Sequence, residues 1–415
     1  MPAESALSRR SFLGTAAGTL AVPLVAPAVQ ARGRLEALSV GVIGCGARGT
    51  ALALELVKLG HTVTALCDVA DFRLAALTEV LAAANPAADE PDGFTDYRKL
   101  LDLKSVDAVV IATPDHHHKE QLIAAVLADK DVYVEAPVTR SLDEGAEIAD
   151  AVRKSMRVVQ VGNQRRSGPH WEEAVRAVRH RAFGKLVRAK AWDTHNWQAK
   201  DPSGPPAGFK ADPKKLDWEA FLGAAPKRPF DPFRYWAWRW HWDYAAGLLT
   251  DPAVHHLDLI AWAGGADAPK SAVTNGGRYF FDKWETPDVI HGVWDFGKFV
   301  AHAAADAVTG ADGAGLSFHG TKQTLVCDAG KDIRLYDTAD AIVPGMKPVR
   351  VWQVEPETPA HLKNWAECVT SRDEPAAPVG QAVRTAVAAH LATHSYRTGK
   401  KQFWDADRNE IIGGG

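Results

Sequence analysis

A chain of 415 residues is long enough for two or three domains with substantial cores. Its 46% hydrophobic and 24% charged residues, with a formal net charge of −3, describe an ordinary soluble globular protein and exclude the basic footprint of a nucleic-acid binder. The cysteines Cys45, Cys67, Cys327 and Cys368 are far apart in sequence, which excludes a zinc knuckle or a CxxC redox pair.

At the N-terminus, Ser8-Arg9-Arg10-Ser11-Phe12-Leu13 precedes a mildly apolar stretch, Gly14 to Val25, and small-residue sites end at Ala28 and Ala31. The stretch is too short to span a bilayer, and the chain carries no other transmembrane run. Residues 1–31 are expected to be a twin-arginine signal, with an ordinary secretory signal or a disordered tail as the alternatives. The partner would be the twin-arginine export machinery, and the mature protein would be periplasmic or otherwise exported. That route carries folded proteins, so a cofactor can be acquired first in the cytoplasm.

From residue 36 to 163 short apolar runs alternate with amphipathic stretches. Strands are expected at Ser39–Gly44, Thr62–Cys67, Val106–Ala112, Val132–Glu135 and Val158–Val161. Helices are expected at Thr50–Leu59, Phe72–Ala84, Lys119–Ala128 and Leu142–Lys154. Strict alternation implies parallel βαβ units with right-handed crossovers, the framework of a Rossmann domain. Cys45 and Cys67 fall at strand ends and read as buried thiols.

The first strand runs into Gly44-Cys45-Gly46-Ala47-Arg48-Gly49, a G-x-G-x-x-G that opens a helix. Gly44 makes the tight turn, Gly46 lets the backbone approach a pyrophosphate, and Gly49 lets helix and strand pack closely. Asp68 ends the second strand, where a carboxylate accepts hydrogen bonds from the adenine ribose and repels a 2′-phosphate. This favours NAD, while Arg73 nearby keeps NADP as the alternative. The loop Thr113-Pro114-Asp115-His116-His117-His118 follows the next strand, at the carboxyl edge of the sheet, and is expected to border the nicotinamide. Adjacent histidines point apart and suit no shared ion, so no metal is expected. Backbone contact with the cofactor and capping of the helix at Lys119 are the expected roles.

Residues 164–405 read differently. A helix at Trp171–Arg179 and a strand at Leu186–Trp192 precede a Pro/Gly-rich loop, Asp201–Lys214. Trp236, Trp238, Trp240 and Trp242 alternate with other residues, a spacing of two that fits an extended segment with the four indoles on one side. Such a surface suits sugar C–H faces, with Arg239 or Tyr244 bonding hydroxyls; core or dimer interface is the alternative use. Strands follow at Ala272–Val273, Val289–Phe296, Phe299–Ala303, Gly315–His319, Gln323–Cys327 and Ile333–Tyr336, and helices at His361–Val369 and Gly380–Tyr396. Strands without intervening helices imply a large, mostly antiparallel open sheet, so the chain is α/β with a Rossmann domain followed by a C-terminal α/β domain.

Several stretches together, GVIGCGARG at 41–49, Asp68, IATPDHHH at 111–118, DVYVEAP at 131–137, QVGNQRRS at 160–167 and LLTDPAVHHLD at 248–258, resemble the Gfo/Idh/MocA family of glucose–fructose oxidoreductase, inositol dehydrogenase and relatives. The resemblance implies an NAD(P)-dependent oxidoreductase acting on sugars, cyclitols or their derivatives at a carbinol carbon. It also implies oligomers formed through the C-terminal sheet. The cofactor would be tightly bound, since free NAD is scarce outside the cytoplasm. Glu135, Ala136 and Gln164 fall at the cofactor corner. The family commonly has lysine where this chain has Ala136, a group that contacts the nicotinamide ribose and the reacting hydroxyl.

Asp251 and His255 stand at i and i+4 and share a helix face. They match the family's Asp-x-x-x-His, which implies His255 as the acid–base residue, oriented by Asp251. A neutral imidazole suits removal of a hydroxyl proton as hydride leaves. His256 points elsewhere and reads as structural, and Asp258 as a cap or orienting group. Arg165 and Arg166 either bind an acidic sugar or lie on the surface, and His195 is a further substrate candidate. Two other functions remain open. Some family relatives are glycosidases that use NAD through transient C3 oxidation and elimination, and these also tend to lack the lysine. A non-catalytic NAD- or sugar-binding protein is the other.

Overall fold

A computed structural model describes residues 37–198, 212–328 and 331–413. The signal segment 1–31 and the Pro/Gly-rich loop up to residue 211 lie outside the described residues.

The first half alternates β1 (Ser39–Ile43), α1 (Ala47–Lys58), β2 (Thr62–Cys67), α2 (Asp71–Ala84), β3 (Asp92–Phe94), α3 (Tyr97–Leu101), β4 (Ala108–Ile111), α4 (His118–Leu127), β5 (Asp131–Val134), α5 (Glu144–Ser155) and β6 (Val159–Val161). Their strands form one parallel six-stranded sheet in the order β3-β2-β1-β4-β5-β6. The order reverses between β1 and β4, which opens a crevice at their carboxyl ends. β4 and β5 are buried along their whole length because helices cover both faces, so they read as unbroken apolar runs. The expected strands and long helices of this half are present. β3 and α3 are additional; three and five residues are too few to show a period.

Past β6 come α6 (Pro169–Arg179), β7 (Leu186–Thr194), the short helices α7 (Trp218–Leu222) and α8 (Pro232–Trp236), and α9 (Asp251–Gly264). Then follow β8 (Ser271–Gly277), β9 (Val289–Asp295), β10 (Val300–Asp306), β11 (Ala314–Gly320), β12 (Thr324–Asp328), β13 (Asp332–Tyr336), β14 (Arg350–Gln353), α10 (Glu357–Ser371), α11 (Val379–Thr398), β15 (Gln402–Asp405) and β16 (Glu410–Gly413). The strands make a ten-stranded sheet, β14-β13-β12-β11-β7-β10-β9-β8-β15-β16. Only β7 and β10 pair in parallel, as expected of a mostly antiparallel sheet.

Inward positions of the central strands are small (Ala189, Ala191, Ala301, Ala303, Ala305), and α9 and α11 lie close against that face, with Leu257 and Ile260 of α9 and Leu391 of α11 in the same core. The opposite face is half apolar: Val187, Val273, Val293, Val300 and Val351 are exposed on it. α9 begins with Asp251-Pro252, a proline where the missing N–H costs nothing, and stops at Gly265 in the left-handed region (φ +59°). None of the described helices is long and apolar enough to cross a membrane.

The tryptophan segment corrects the sequence reading. Trp236 ends α8, Trp238 to Trp240 form a 3-10 turn, and the four indoles do not share a face. Trp236 stacks on Phe72, Trp240 stacks on Trp284 at 3.8 Å in the core, and Trp242 stacks on Tyr396. A repeat of two fits a strand, yet consecutive short turns produce it as well.

Candidate active site

The crevice is a cleft of about 540 Å³, within the range of small-ligand sites. Its floor is the glycine turn. Gly44 sits at φ +95°, and a Cβ there would meet the Ala112 backbone at 2.7 Å; a Cβ on Gly49 would fall 1.9 Å from the Gly44 carbonyl oxygen. These two glycines are therefore required by the turn itself. Above Gly46 only the tip of Arg73 comes within 4 Å, so the backbone is open to a ligand. No side chain caps α1, and its first-turn amides face the cleft, a cradle for a pyrophosphate. Asp68 Oδ2 accepts the Cys45 N–H at 2.8 Å and Oδ1 the Ala70 N–H at 3.0 Å, which fixes the carboxylate at the end of β2, where the ribose is expected. Burial raises its pKa and the Arg73 charge opposes the rise. Glycine cradle, open amides and acid all fit a dinucleotide. Cys45 and Cys67 are buried thiols, as expected.

The roof comes from the second half. Asp217 donates its N–H to the Val69 carbonyl at 2.8 Å, Ala70 pairs with Leu216, and Arg73 Nε donates to the Tyr235 hydroxyl at 3.0 Å. The Arg73 guanidinium lies 4.4 Å over the Trp236 ring. Tyr235, Trp236 and Trp238 line the cleft, a role that tryptophan density signals without giving its place.

Thr113 and Pro114 line the cleft, and Thr113 Oγ1 lies 2.7 Å from Gln121 Oε1. Of the three histidines, His117 faces the cleft and His116 and His118 do not. His116 and His117 both place Nε2 2.8 Å from the Phe221 carbonyl, and His118 lies 2.8 Å from the Pro137 and 2.9 Å from the Thr113 carbonyl. Their side chains tie the loop to its surroundings. None caps α4, which corrects that expectation. Asp115 is buried, and burial, with the nearby Asp251 charge, drives its carboxyl well above the ordinary range. No group of metal-ligating side chains occurs among the described residues.

At the corner where the nicotinamide is expected, Glu135 Oε1 accepts Arg48 Nε at 2.7 Å and Gln164 Nε2 at 3.3 Å, and Gln164 Nε2 also reaches the Tyr133 hydroxyl at 3.1 Å. Ala136 contributes only a methyl group to the packing around it. Arg239 ends the cleft, and its Nε donates to Asp251 Oδ2 at 2.6 Å. Asp251 is therefore held by Arg239, and among the described residues it makes no hydrogen bond to His255. The expected orienting bond is replaced by a charge acting at a distance.

His255 makes no hydrogen bond among the described residues, so its imidazole is available. Burial and then the Arg165 guanidinium push its pKa below the ordinary value, while the carboxylates of Glu135 and Asp251 oppose this. His256 is buried, with Nδ1 near the Pro252 carbonyl at 3.2 Å, a structural residue as read. His195 Nε2 lies 2.8 Å from Asp193 Oδ1 and the ring stacks on Trp197. Asp193 feels both Arg165 and Asp251, so this pair belongs to the same corner. Arg166 forms a buried two-pronged pair with Asp258, at 2.7 and 2.8 Å, and is unavailable to substrate. Tyr244 is fully buried in an aromatic cluster with Phe221 and Tyr235, which removes it from the substrate surface.

Residues 38–163 match the oxidoreductase family with an NAD-binding Rossmann fold, and residues 188–276 match the C-terminal α/β domain of that family. The chain belongs to the Gfo/Idh/MocA oxidoreductase family. Its first domain is accordingly an NAD-binding domain. Among Gfo/Idh/MocA relatives, a protein named glycosyl hydrolase family 109 protein 2, from Shewanella sp. (strain ANA-3), is 31% identical over 198 residues, 45% of this chain and 41% of the relative. The levoglucosan dehydrogenase of Pseudarthrobacter phenanthrenivorans is 29% identical over 247 residues, 58% of this chain and 54% of the relative. The matched part thus spans about half the length of these curated relatives. A levoglucosan dehydrogenase structure, in complex with NADH and levoglucosan, shares the fold at a TM-score of 0.69 and 17% identity, over 91% of this chain and 99% of that one.

Proposed function

We propose that the protein is an NAD-dependent oxidoreductase that acts on a sugar, cyclitol or sugar derivative at a carbinol carbon, with His255 as its acid–base residue. The observation that carries this reading is the uncommitted, half-buried imidazole of His255, one helical turn from the Asp251 that Arg239 of the cleft wall holds. When bound, NAD supplies the hydride acceptor for the carbinol carbon. The hydroxyl proton must leave at nearly the same time, and a neutral imidazole takes it well. Burial and then Arg165 keep that imidazole neutral, and Glu135 and Asp251 stabilise the imidazolium once the proton has arrived. The aromatic roof supports a cofactor retained between turnovers. Export through the twin-arginine route, after cofactor loading, is consistent with the Arg9-Arg10 segment. The half-apolar outer face of the second sheet supports self-association there.

A second reading is favoured by Ala136 and by the hydrolase-named relative. Here the carbinol at C3 is oxidised only transiently, the acidified C2 proton leaves, the glycosidic bond breaks, water adds, and the C3 carbonyl is reduced back.

The test is product analysis of purified, cofactor-loaded protein with monosaccharides and glycosides. A change in cofactor absorbance without bond cleavage supports the oxidoreductase. Aglycone release with solvent deuterium at C2 supports the second reading and removes the first. His255→Ala is expected to lower turnover about 10²–10⁴-fold while NAD remains bound; undiminished turnover would take His255 out of the mechanism.

A further inference from the structure

We propose that Arg165 is a specificity-determining residue that binds an anionic group of the substrate, and that the substrate is a carbohydrate bearing a carboxylate, a uronate or an aldonate. This rests on the carbohydrate-oxidising reading of the same site and adds the class of substrate.

Arg165 lies in the 3-10 turn Gln164–Ser167 that leaves β6, packed against α9 and α10. The neighbouring charges are accounted for one by one. Glu135 is held by Arg48 at 2.7 Å, Asp251 by Arg239 at 2.6 Å, and Asp258 by Arg166 at 2.7 Å. Asp193 faces His195 at 2.8 Å, and Glu357 accepts the Trp171 indole N–H at 3.2 Å with His170 at 3.5 Å. Of the four guanidinium groups at this corner, Arg48, Arg165, Arg166 and Arg239, only Arg165 has no ion pair or hydrogen bond among the described residues.

A guanidinium stays charged, and removing one from water without a partner is costly. The Glu357 and Asp193 carboxylates act on it only at a distance, and a neutral sugar can accept some of its five N–H donors but gives it no direct ion pair. A carboxylate accepts two of them in parallel and cancels the charge. With Glu357 and Asp193 nearby, a single negative charge is also accommodated better than a phosphate dianion. The bond between Arg166 and Asp258 anchors the turn to α9 one helical turn beyond His255, so an anion on Arg165 sits close to the reacting carbon. Its charge would also offset the push of Arg165 on His255, returning the imidazole toward its ordinary pKa as substrate binds.

The test is calorimetric titration of NAD-loaded protein with D-glucuronate against D-glucose and D-galacturonate against D-galactose, with inorganic phosphate as a separate arm. The expected result is at least tenfold tighter binding of one uronate than of its parent hexose. Arg165→Gln should remove that preference and Arg165→Lys should keep part of it, with the melting temperature of each variant checking that it folds. Equal binding of uronate and hexose overturns the proposal. So does equal weakening of both by Arg165→Gln, or Arg165-dependent binding of phosphate as tight as that of the uronates. Uronate binding that depends on Arg165, with no cofactor change and no bond cleavage, would instead overturn the oxidoreductase reading and leave the carboxylate subsite standing.

Discussion

Two adjacent arginines show what a single residue can and cannot reveal in sequence. Arg165 and Arg166 read as a pair; in the fold Arg165 is half-buried with no ion pair among the described residues, and Arg166 is sealed against Asp258, those two side chains 3% and 2% exposed. Asp258→Ala leaves the Arg166 guanidinium buried with no carboxylate. A loss of about 3–5 kcal/mol is expected, a large share of a typical stability. Urea unfolding measures it, and a loss below about 1 kcal/mol, the size of an exposed pair, would contradict the assignment. The i, i+4 spacing of Asp251 and His255 was legible because helix geometry fixes it. The partner of Asp251 was not, since Arg239 arrives from a turn whose path no local pattern encodes.

At the scale of elements, the strands of the parallel sheet were legible because burial on both faces leaves continuous apolar runs such as Ala108-Val109-Val110-Ile111. Short elements fixed by tertiary contact were not: β14, β15 and β16 have four residues each. α8 is the instructive case. Its aromatic residues announce a contact surface, but only the fold shows that they roof the Asp68 end of the cleft through Arg73. Trp236→Ala removes an aromatic–cation contact and part of that roof. With about 1–2 kcal/mol for a partly desolvated contact of this kind, NAD release should quicken roughly 5–30-fold. Cofactor retained after gel filtration, and the release rate in stopped flow, measure this. An unchanged rate would mean that the roof does not hold the cofactor.

The whole molecule is joined by its own C-terminal segment. After β14 the chain returns, and α10 buries Leu362, Trp365 and Val369 in the core of the first sheet with Val40, Leu52 and Val110. The helical period told that α10 has a buried face; it did not tell which sheet that face covers. Two buried histidines lie along this joint. His361 Nε2–H donates to the Val161 carbonyl at 2.9 Å and its Nδ1 accepts from the Ser167 hydroxyl at 2.7 Å, which uses the neutral ring fully. His390 of α11 meets Thr139 at 2.9 Å. Burial lowers both to about 4.

In the unfolded chain these rings take a proton near 6.5, while in the native protein they stay neutral to about 4. Between those values the unfolded state binds more protons, so stability falls as pH falls from 6.5 to 4 and this contribution is flat below. At full depth each ring accounts for roughly 3 kcal/mol. The raised carboxyl of Asp115 acts in the opposite sense, because there the native state binds the extra proton. Comparison with His361→Gln cancels every shared contribution. Unfolding free energy measured from pH 7 to 4 should fall less steeply in the variant, by close to one proton in slope near pH 5. Parallel curves would show that His361 does not couple the joint between the two sheets to acid.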